Sequence, residues 1–257
     1  MTITAVKIYR YPVKGLTAEA LSRVPLSAGR GLPNDRRFAL TLGTTPASGP
    51  TIPWMPKTAF LSLLRHEKLA KLTVCFEDDT GILSVEREGK PVAKGNVTTP
   101  VGRAMIEEFF AAYMGDDAHG RPKLVECEPG AMLSDVADPL LSIINLASIK
   151  DLERVSGTEI DPLRFRANVY LQGLEPWAEF DWIGKDITLG KSGDGATLTV
   201  TKRIDRCAAT GVNPGTGKRD LNLVKDLKRG FGHIDMGIYA AVTMAGDIAA
   251  GDSLSVP

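Results

Sequence analysis

The chain has 257 residues, enough for one large domain or two modest ones with a sizeable core. Its 31 Lys and Arg balance its 31 Asp and Glu, which argues against a nucleic-acid-binding protein and against an acidic solvating tail. Hydrophobic residues make up 43% with no biased tract, so the composition is that of an ordinary globular chain.

Residues 1–7 alternate apolar and polar side chains and lack the apolar core of a secretory signal. No apolar run approaches the roughly 20 residues that span a bilayer, so no membrane association is expected. Much of the first half reads as short strands bounded by Gly, Pro or Asp: Ile3 to Tyr9, Ala20 to Leu26, Arg37 to Leu42, Leu72 to Phe76 and Gly81 to Val85. Leu32 to Pro56 reads as a long exposed loop. Pro100 to Met114 reads as a helix, with Val101, Met105, Ile106, Phe109, Phe110 and Tyr113 near a period of 3.6 and Gly115 as its stop. A junction near Glu128-Pro129-Gly130 divides the chain into 1–128 and 129–257. Beyond it, Leu140 to Leu146 is apolar, and Ser148-x-x-Asp151 resembles a capping box for a helix ending near Gly157. Arg164 to Leu171, Ile187 to Leu189, Leu198 to Thr201 and Gly237 to Met244 alternate again, and a short helix is expected from Asp220 through Leu227. The expected class is α+β, mainly β, with barrel-like β modules and a few packed helices.

The three cysteines, Cys75, Cys127 and Cys207, are widely spaced with no C-x-x-C. Neither a disulfide framework nor a zinc or iron–sulfur site is expected, and a reducing cytoplasm fits. Cys75, between Val74 and Phe76, reads as a small core residue, and Cys127 ends a strand-like run. Cys207 instead follows a strand among basic and small polar residues, where Arg206 and Arg203 favour a thiolate. On local residues alone two readings stay open, a ligand or nucleophile and an inert thiol at a turn. Asn213-Pro214-Gly215-Thr216-Gly217 is a turn able to present N–H groups to an anion. Placed on a strand, Arg164, Arg166 and Asn168 share one face, which suits a phosphate or a polar heterocycle, or an ordinary solvated surface. Lys14 and one of Arg36 and Arg37 are further candidates for an anion, as is Ser148 if it opens a helix. His66, His119 and His233 lack metal-ligand spacing, and no G-x-S-x-G or phosphate loop is present. His233 is a weak candidate proton donor and otherwise a structural histidine.

In order along the chain, these segments resemble the MOSC family, named for the C-terminal domain of molybdenum cofactor sulfurase. Tyr11-Pro12-Val13-Lys14-Gly15, Gly31-Leu32 and Asp35-Arg36-Arg37-Phe38 resemble the β-barrel module that often precedes a MOSC domain. Phe165-Arg166-Ala167-Asn168 resembles the family's F-R-x-N segment, and Arg206-Cys207-x-x-Thr210-x-Val212-x-Pro214-x-Thr216-Gly217 its cysteine motif. The resemblance, closest to the amidoxime-reducing members and their bacterial relatives, implies an N-terminal module over 1–128 and a MOSC domain over 129–257. It implies a molybdopterin-type molybdenum cofactor with the metal on Cys207. Lys14, Arg36, Arg166, Asn168 and Arg206 would hold the pterin and its phosphate, with Ser148 and Thr210 as further candidates.

Two departures stand out. Asp205 occupies a position where some family reductases carry serine, and Lys57 stands in place of an arginine. The implied activity is removal of an oxygen atom from N-hydroxylated or similar small substrates. With no ferredoxin-like module expected after Pro257, electrons would come from a separate donor protein. A sulfur carrier using a Cys207 persulfide and a non-catalytic cofactor carrier are the alternatives.

Overall fold

The computed structural model describes residues 2–47, 49–191 and 193–256. The first half contains β1 (Ile3–Arg10), β2 (Glu19–Leu21), β3 (Arg23–Leu26), β4 (Phe38–Leu40) and β5 (Thr51–Ile52). It continues with β6 (Leu72–Glu77), β7 (Ile82–Arg87), β8 (Lys90–Asn96), α1 (Pro100–Met114) and β9 (Leu124–Cys127). The second half contains β10 (Leu141–Asn145), α2 (Leu146–Ser156), β11 (Val169–Gln172), β12 (Asp186–Leu189) and β13 (Ala196–Asp205). It ends with α3 (Leu223–Phe231), β14 (Asp235–Met244), β15 (Gly246–Ala249) and β16 (Ser253–Ser255).

Seven of these strands close into a barrel in the order β1-β11-β10-β14-β13-β12-β16 and back to β1, with β2 added beside β1. Only β10 and β11 run parallel, because α2 carries the chain over between them; the other barrel pairs are antiparallel. Alternating inward residues such as Ile143, Val169, Leu198, Val200 and Ile238 fill the barrel. A second core, under Phe38, Leu72, Val74, Leu83, Ile106 and Phe110, lies between α1 and the β6-β7-β8 sheet, near the β4-β9-β5 sheet. A third fills the space beneath α2 and α3 with Ile149, Leu152, Phe165, Tyr170 and Leu227. The mainly β class expected from the alternation holds. No described helix is long and apolar enough to cross a membrane.

Where the structure departs from the local reading, a tertiary contact or a turn is responsible. α1 begins and ends where its period predicts, capped by Thr99 accepting from the Gly102 N–H. Its buried stripe, however, is Gly102, Ile106, Phe110 and Met114, while Val101 and Met105 face solvent. The cause is a close approach of backbones: a Cβ on Gly102 would stand 2.0 Å from the Asn96 O. That contact turns the glycine face inward. The helix expected from Asp220 starts instead at Leu223, where Asn222 accepts from the Lys225 N–H, and runs to Phe231. Arg164 to Leu171 is not one strand. Asp161 and Pro162 start a 3-10 turn over Pro162–Phe165, Arg166 takes a left-handed φ of 53°, and the strand begins at Val169. Cys75 is exposed on the outer face of β6 and is not a core residue, because the strand's phase buries Leu72, Val74 and Phe76. The stretch read as a long loop from Leu32 to Pro56 carries β4 and β5; its Ser48 lies outside the described residues.

Gly102→Ala separates propensity from packing. Helix propensity alone favours alanine by about 1 kcal/mol, whereas overpacking against Asn96 costs roughly 1–3 kcal/mol. The expected result is a destabilised protein in chemical denaturation; an unchanged or raised stability would show that α1 and β8 shift apart freely.

Candidate functional site

A cavity of about 180 Å³ opens beside the end of β13, walled by residues 14–15, 36, 57, 62–64, 132, 134–136, 140, 142, 164–166, 168, 204–207 and 209–210 together with Tyr239. Strand β13 delivers Cys207 to it. Register shifts between Val200 and Lys202 and between Arg203 and Asp205 bend the strand just before the cysteine. Cys207 then opens a 3-10 turn over Ala208–Gly211, held by the Thr210 Oγ1 donating to the Cys207 carbonyl at 3.0 Å. The Cys207 side chain is partly exposed and lines the cavity.

The wall is strongly basic. Lys14, Arg36, Lys57, Arg164, Arg166 and Arg206 line it against only Asp135 and Asp205, in a chain of zero net charge. Two of these arginines sit in the sparsely populated left-handed region, Arg36 at φ 47° and Arg166 at φ 53°. Strain of this kind persists only where surroundings over-determine it. Here they do. The Asp35 carboxylate, 3% exposed, accepts from the Tyr11 N–H at 2.7 Å and from Asn168 Nδ2 at 3.0 Å, and pairs with Arg36. Arg36 Nη2 donates to the Arg166 carbonyl at 2.6 Å. The Asn168 Oδ1 accepts from Ser142 N and Oγ at 3.0 and 2.8 Å. Both guanidiniums pack on the buried Tyr11 ring, 4.4 Å (Arg36) and 4.3 Å (Arg166) from its centroid, contacts worth about 1 kcal/mol each.

Burial, with Arg36 close by, pushes Arg166 down to about 10, and burial lowers Arg206. Arg206 donates to the carbonyls of Met236 at 2.8 Å and Phe165 at 2.9 Å and makes no ion pair among the described residues. Lys14 is likewise lowered by burial, though its Nζ meets Asp135 at 2.8 Å and the Leu133 carbonyl at 2.9 Å. Lys57 reaches the other oxygen of Asp135 at 3.2 Å. Although burial opposes it, the two lysines hold the Asp135 carboxyl well below the usual carboxylate range. The arrangement is suited to an anion, with one thiol in its wall and fixed cations around it.

Of the residues singled out from sequence, the cavity gathers Cys207, Lys14, Arg36, Arg166, Asn168, Arg206 and Thr210, and also Lys57 and Asp205. Asn168 reaches it as a scaffold residue, since its side chain is taken up by Tyr9, Asp35 and Ser142. Ser148 is not brought there. It lies within the first turn of α2, whose cap is Asn145, and its hydroxyl donates to Glu179 at 2.9 Å and accepts from the Trp177 N–H at 2.9 Å. Arg203 packs over Phe180 instead of beside Cys207, with 4.2 Å from guanidinium to ring centroid. In the Asn213 turn, the N–H groups of Gly215 and Thr216 are spent on Asn213 Oδ1 at 2.9 and 3.0 Å. His233 belongs to an aromatic cluster with Trp177, Phe180 and Phe231. Asp135 and Tyr239 were not singled out: one lies in an irregular loop and the other alternates on β14 like any strand residue.

A family model described as MOSC domain matches residues 118–255. No curated protein matches the chain. Among solved structures, the YuaD protein of Bacillus subtilis is similar over 100% of this chain and 96% of its own, at 14% identity and a TM-score of 0.47. YiiM of Geobacillus stearothermophilus is similar over 46% of this chain and 53% of its own, at 20% identity and a TM-score of 0.36.

Three outcomes follow from the wall. Asn168→Ala strips partners from buried Asp35 and Ser142 and is expected to cost about 3 kcal/mol in chemical denaturation. Asp135→Asn frees Lys14 and Lys57 and is expected to tighten inorganic phosphate binding roughly fivefold. The depressed Asp135 carboxyl contributes stability that is full above the ordinary carboxylate range and is lost as pH falls below that range toward its lowered value. The thermal stability of Asp135→Asn is therefore expected to fall less than that of wild type between pH 5 and acid, as read by melting curves.

Proposed function

The chain belongs to the MOSC domain family, and from that premise we propose that it binds a molybdopterin-type molybdenum cofactor with Cys207 as the protein's ligand to the metal. We further propose that it is an oxidoreductase that removes oxygen from N-hydroxylated or similar small substrates. The observation that carries the reading is the partly exposed Cys207 in the wall of a cavity with six basic side chains and two acidic ones. A soft thiolate suits a thiophilic metal, and fixed guanidiniums suit a phosphate.

Lys14, Arg36, Arg166 and Arg206 would hold the cofactor's anionic end. Asn168 orients Arg36 and braces Asp35, and Thr210 fixes the backbone of Cys207. When bound, the cofactor would supply two-electron redox chemistry. The chain's own side chains set access and protons. Exposed Asp205 stands at the cavity beside the cysteine and disfavours anionic substrates. Tyr239, raised by burial, keeps its phenol proton at neutral pH and can donate it from Oη. Electrons would come from a separate donor protein, and the cytoplasm is the compartment we assign.

Molybdenum measured by elemental mass spectrometry, after expression in a cofactor-competent host, tests the first step. Near-stoichiometric metal in wild type and its loss in Cys207→Ala are expected. A metal-free wild type overturns the reading, and a persulfide on Cys207 in that preparation would point to sulfur transfer. Reduction of an N-hydroxylated test compound with an artificial electron donor tests the second step; a loaded protein without that activity would be a carrier.

A further inference from the structure

A second cavity, of about 260 Å³, lies behind the basic wall and shares Gly15, Leu63, Arg164 and Arg166 with the first. The cofactor reading does not use it. Leu16, Leu163, Val212 and Pro214 make its lining mainly apolar. The half-buried ring of Tyr9 adds an aromatic surface, set edge-on to Tyr170 at 5.7 Å. Its charge is one-sided, for Arg164 and Arg166 line it and, among the described residues, no Asp or Glu does.

The two guanidiniums are incompletely satisfied. Arg166 donates to the Leu16 carbonyl at 2.5 Å and makes no ion pair among the described residues. Arg164 is 6% exposed, pairs with Asp220 at 2.8 Å and donates to the Gly211 carbonyl at 3.1 Å, yet its buried Nε–H has no acceptor. A guanidinium that lines the cavity with no carboxylate partner, as Arg166 does, favours an oxygen acceptor there. At about 260 Å³ the cavity has room for a single ring.

We propose that this cavity is a binding subsite for a small single-ring aromatic acid, its ring among Tyr9, Leu16 and Leu163 and its carboxylate toward the Arg164–Arg166 wall. Because Arg166 serves both cavities, an acid bound here reduces the positive charge facing Cys207. Binding in the two cavities is therefore mutually weakening.

Calorimetric titration of the full chain with benzoate, acetate and benzyl alcohol tests the assignment in wild type, Ala18→Trp and Thr73→Trp, both substitutions lying in the lining. Benzoate is expected to bind at one site, at least about tenfold more tightly than either control, since each control lacks one of the two recognition elements. Both variants are expected to lose about tenfold or more in benzoate affinity while melting like wild type and binding inorganic phosphate unchanged. In wild type, saturating benzoate is expected to weaken phosphate binding. The idea is overturned if benzoate fails to bind at millimolar concentration, if acetate or benzyl alcohol binds as tightly, or if a normally melting variant keeps benzoate. Should both variants misfold, amide resonances of wild type decide: shifts centred on Ala18, Leu163 and Val212 support the subsite, and shifts centred on Asp205 and Cys207 refute it. Molybdenum content is not read in any arm, so failure of the cofactor reading leaves this result interpretable.

Discussion

The buried Asp35 carboxylate is the joint on which the site depends. A carboxylate held at 3% exposure is tolerable only with its charge matched and its lone pairs filled. Arg36, Asn168 and the Tyr11 N–H meet that demand, and each belongs to a different part of the chain. Through Asn168 the joint reaches Ser142 in β10, and through Tyr11 it reaches the end of β1. The backbone reinforces it: Arg36 N–H donates to the Tyr11 carbonyl at 2.8 Å, and Lys14 N–H to the Phe38 carbonyl at 2.8 Å. Lys14 and Arg36 are thereby fixed against the barrel end that carries Cys207.

Two aspartates play opposite parts in this basic environment. Asp35 is a permanent counterion, sealed from water and locked to one guanidinium face. Asp135 is half-exposed and spans two lysines from a loop, which makes it a counterion that an incoming anion can replace. Arg166 and Arg206 have carbonyl partners instead of carboxylates, so their charge stays available to a ligand. Cations held in place before binding need little reorganisation, which is the physical advantage of a strained but over-determined wall.

The barrel and the first-half sheets are joined in the same way, by buried charge as well as by apolar packing. Arg10 at the end of β1 donates to Glu19 at 2.6 Å, to Asp78 at 2.7 and 2.8 Å and to the Phe76 carbonyl at 3.0 Å. β3 pairs with β15 across more than two hundred residues of sequence. Such pairings make the cavity a product of both halves of the chain. Lys14, Arg36 and Lys57 come from one, and Arg166, Arg206 and Cys207 from the other.

Local physics made much of this legible in advance. Period-two alternation marks most of the strands, a 3.6 period stopped by Gly115 marks α1, and Cys207 stands apart from the other cysteines by its basic and small polar neighbours. Lys14, Arg36, Arg166 and Arg206 are recognisable from their motifs, and the cavity contains them all. Alternation misled at Arg164 to Asn168, where a proline-started turn and a left-handed arginine bring the same side chains to the cavity by another route. Ser148 looked like a helix opening because S-x-x-D matches a cap, but Asn145 takes that role and Glu179 claims the hydroxyl. Only the tertiary structure decided that β1 closes the barrel, that Gly102 faces inward, that Asp135 lies between Lys14 and Lys57, and that a second cavity backs the arginine wall. Period, caps and turns are properties of neighbouring residues, whereas strand order, desolvation and charge pairing arise between segments far apart in the chain, and no local pattern encodes them.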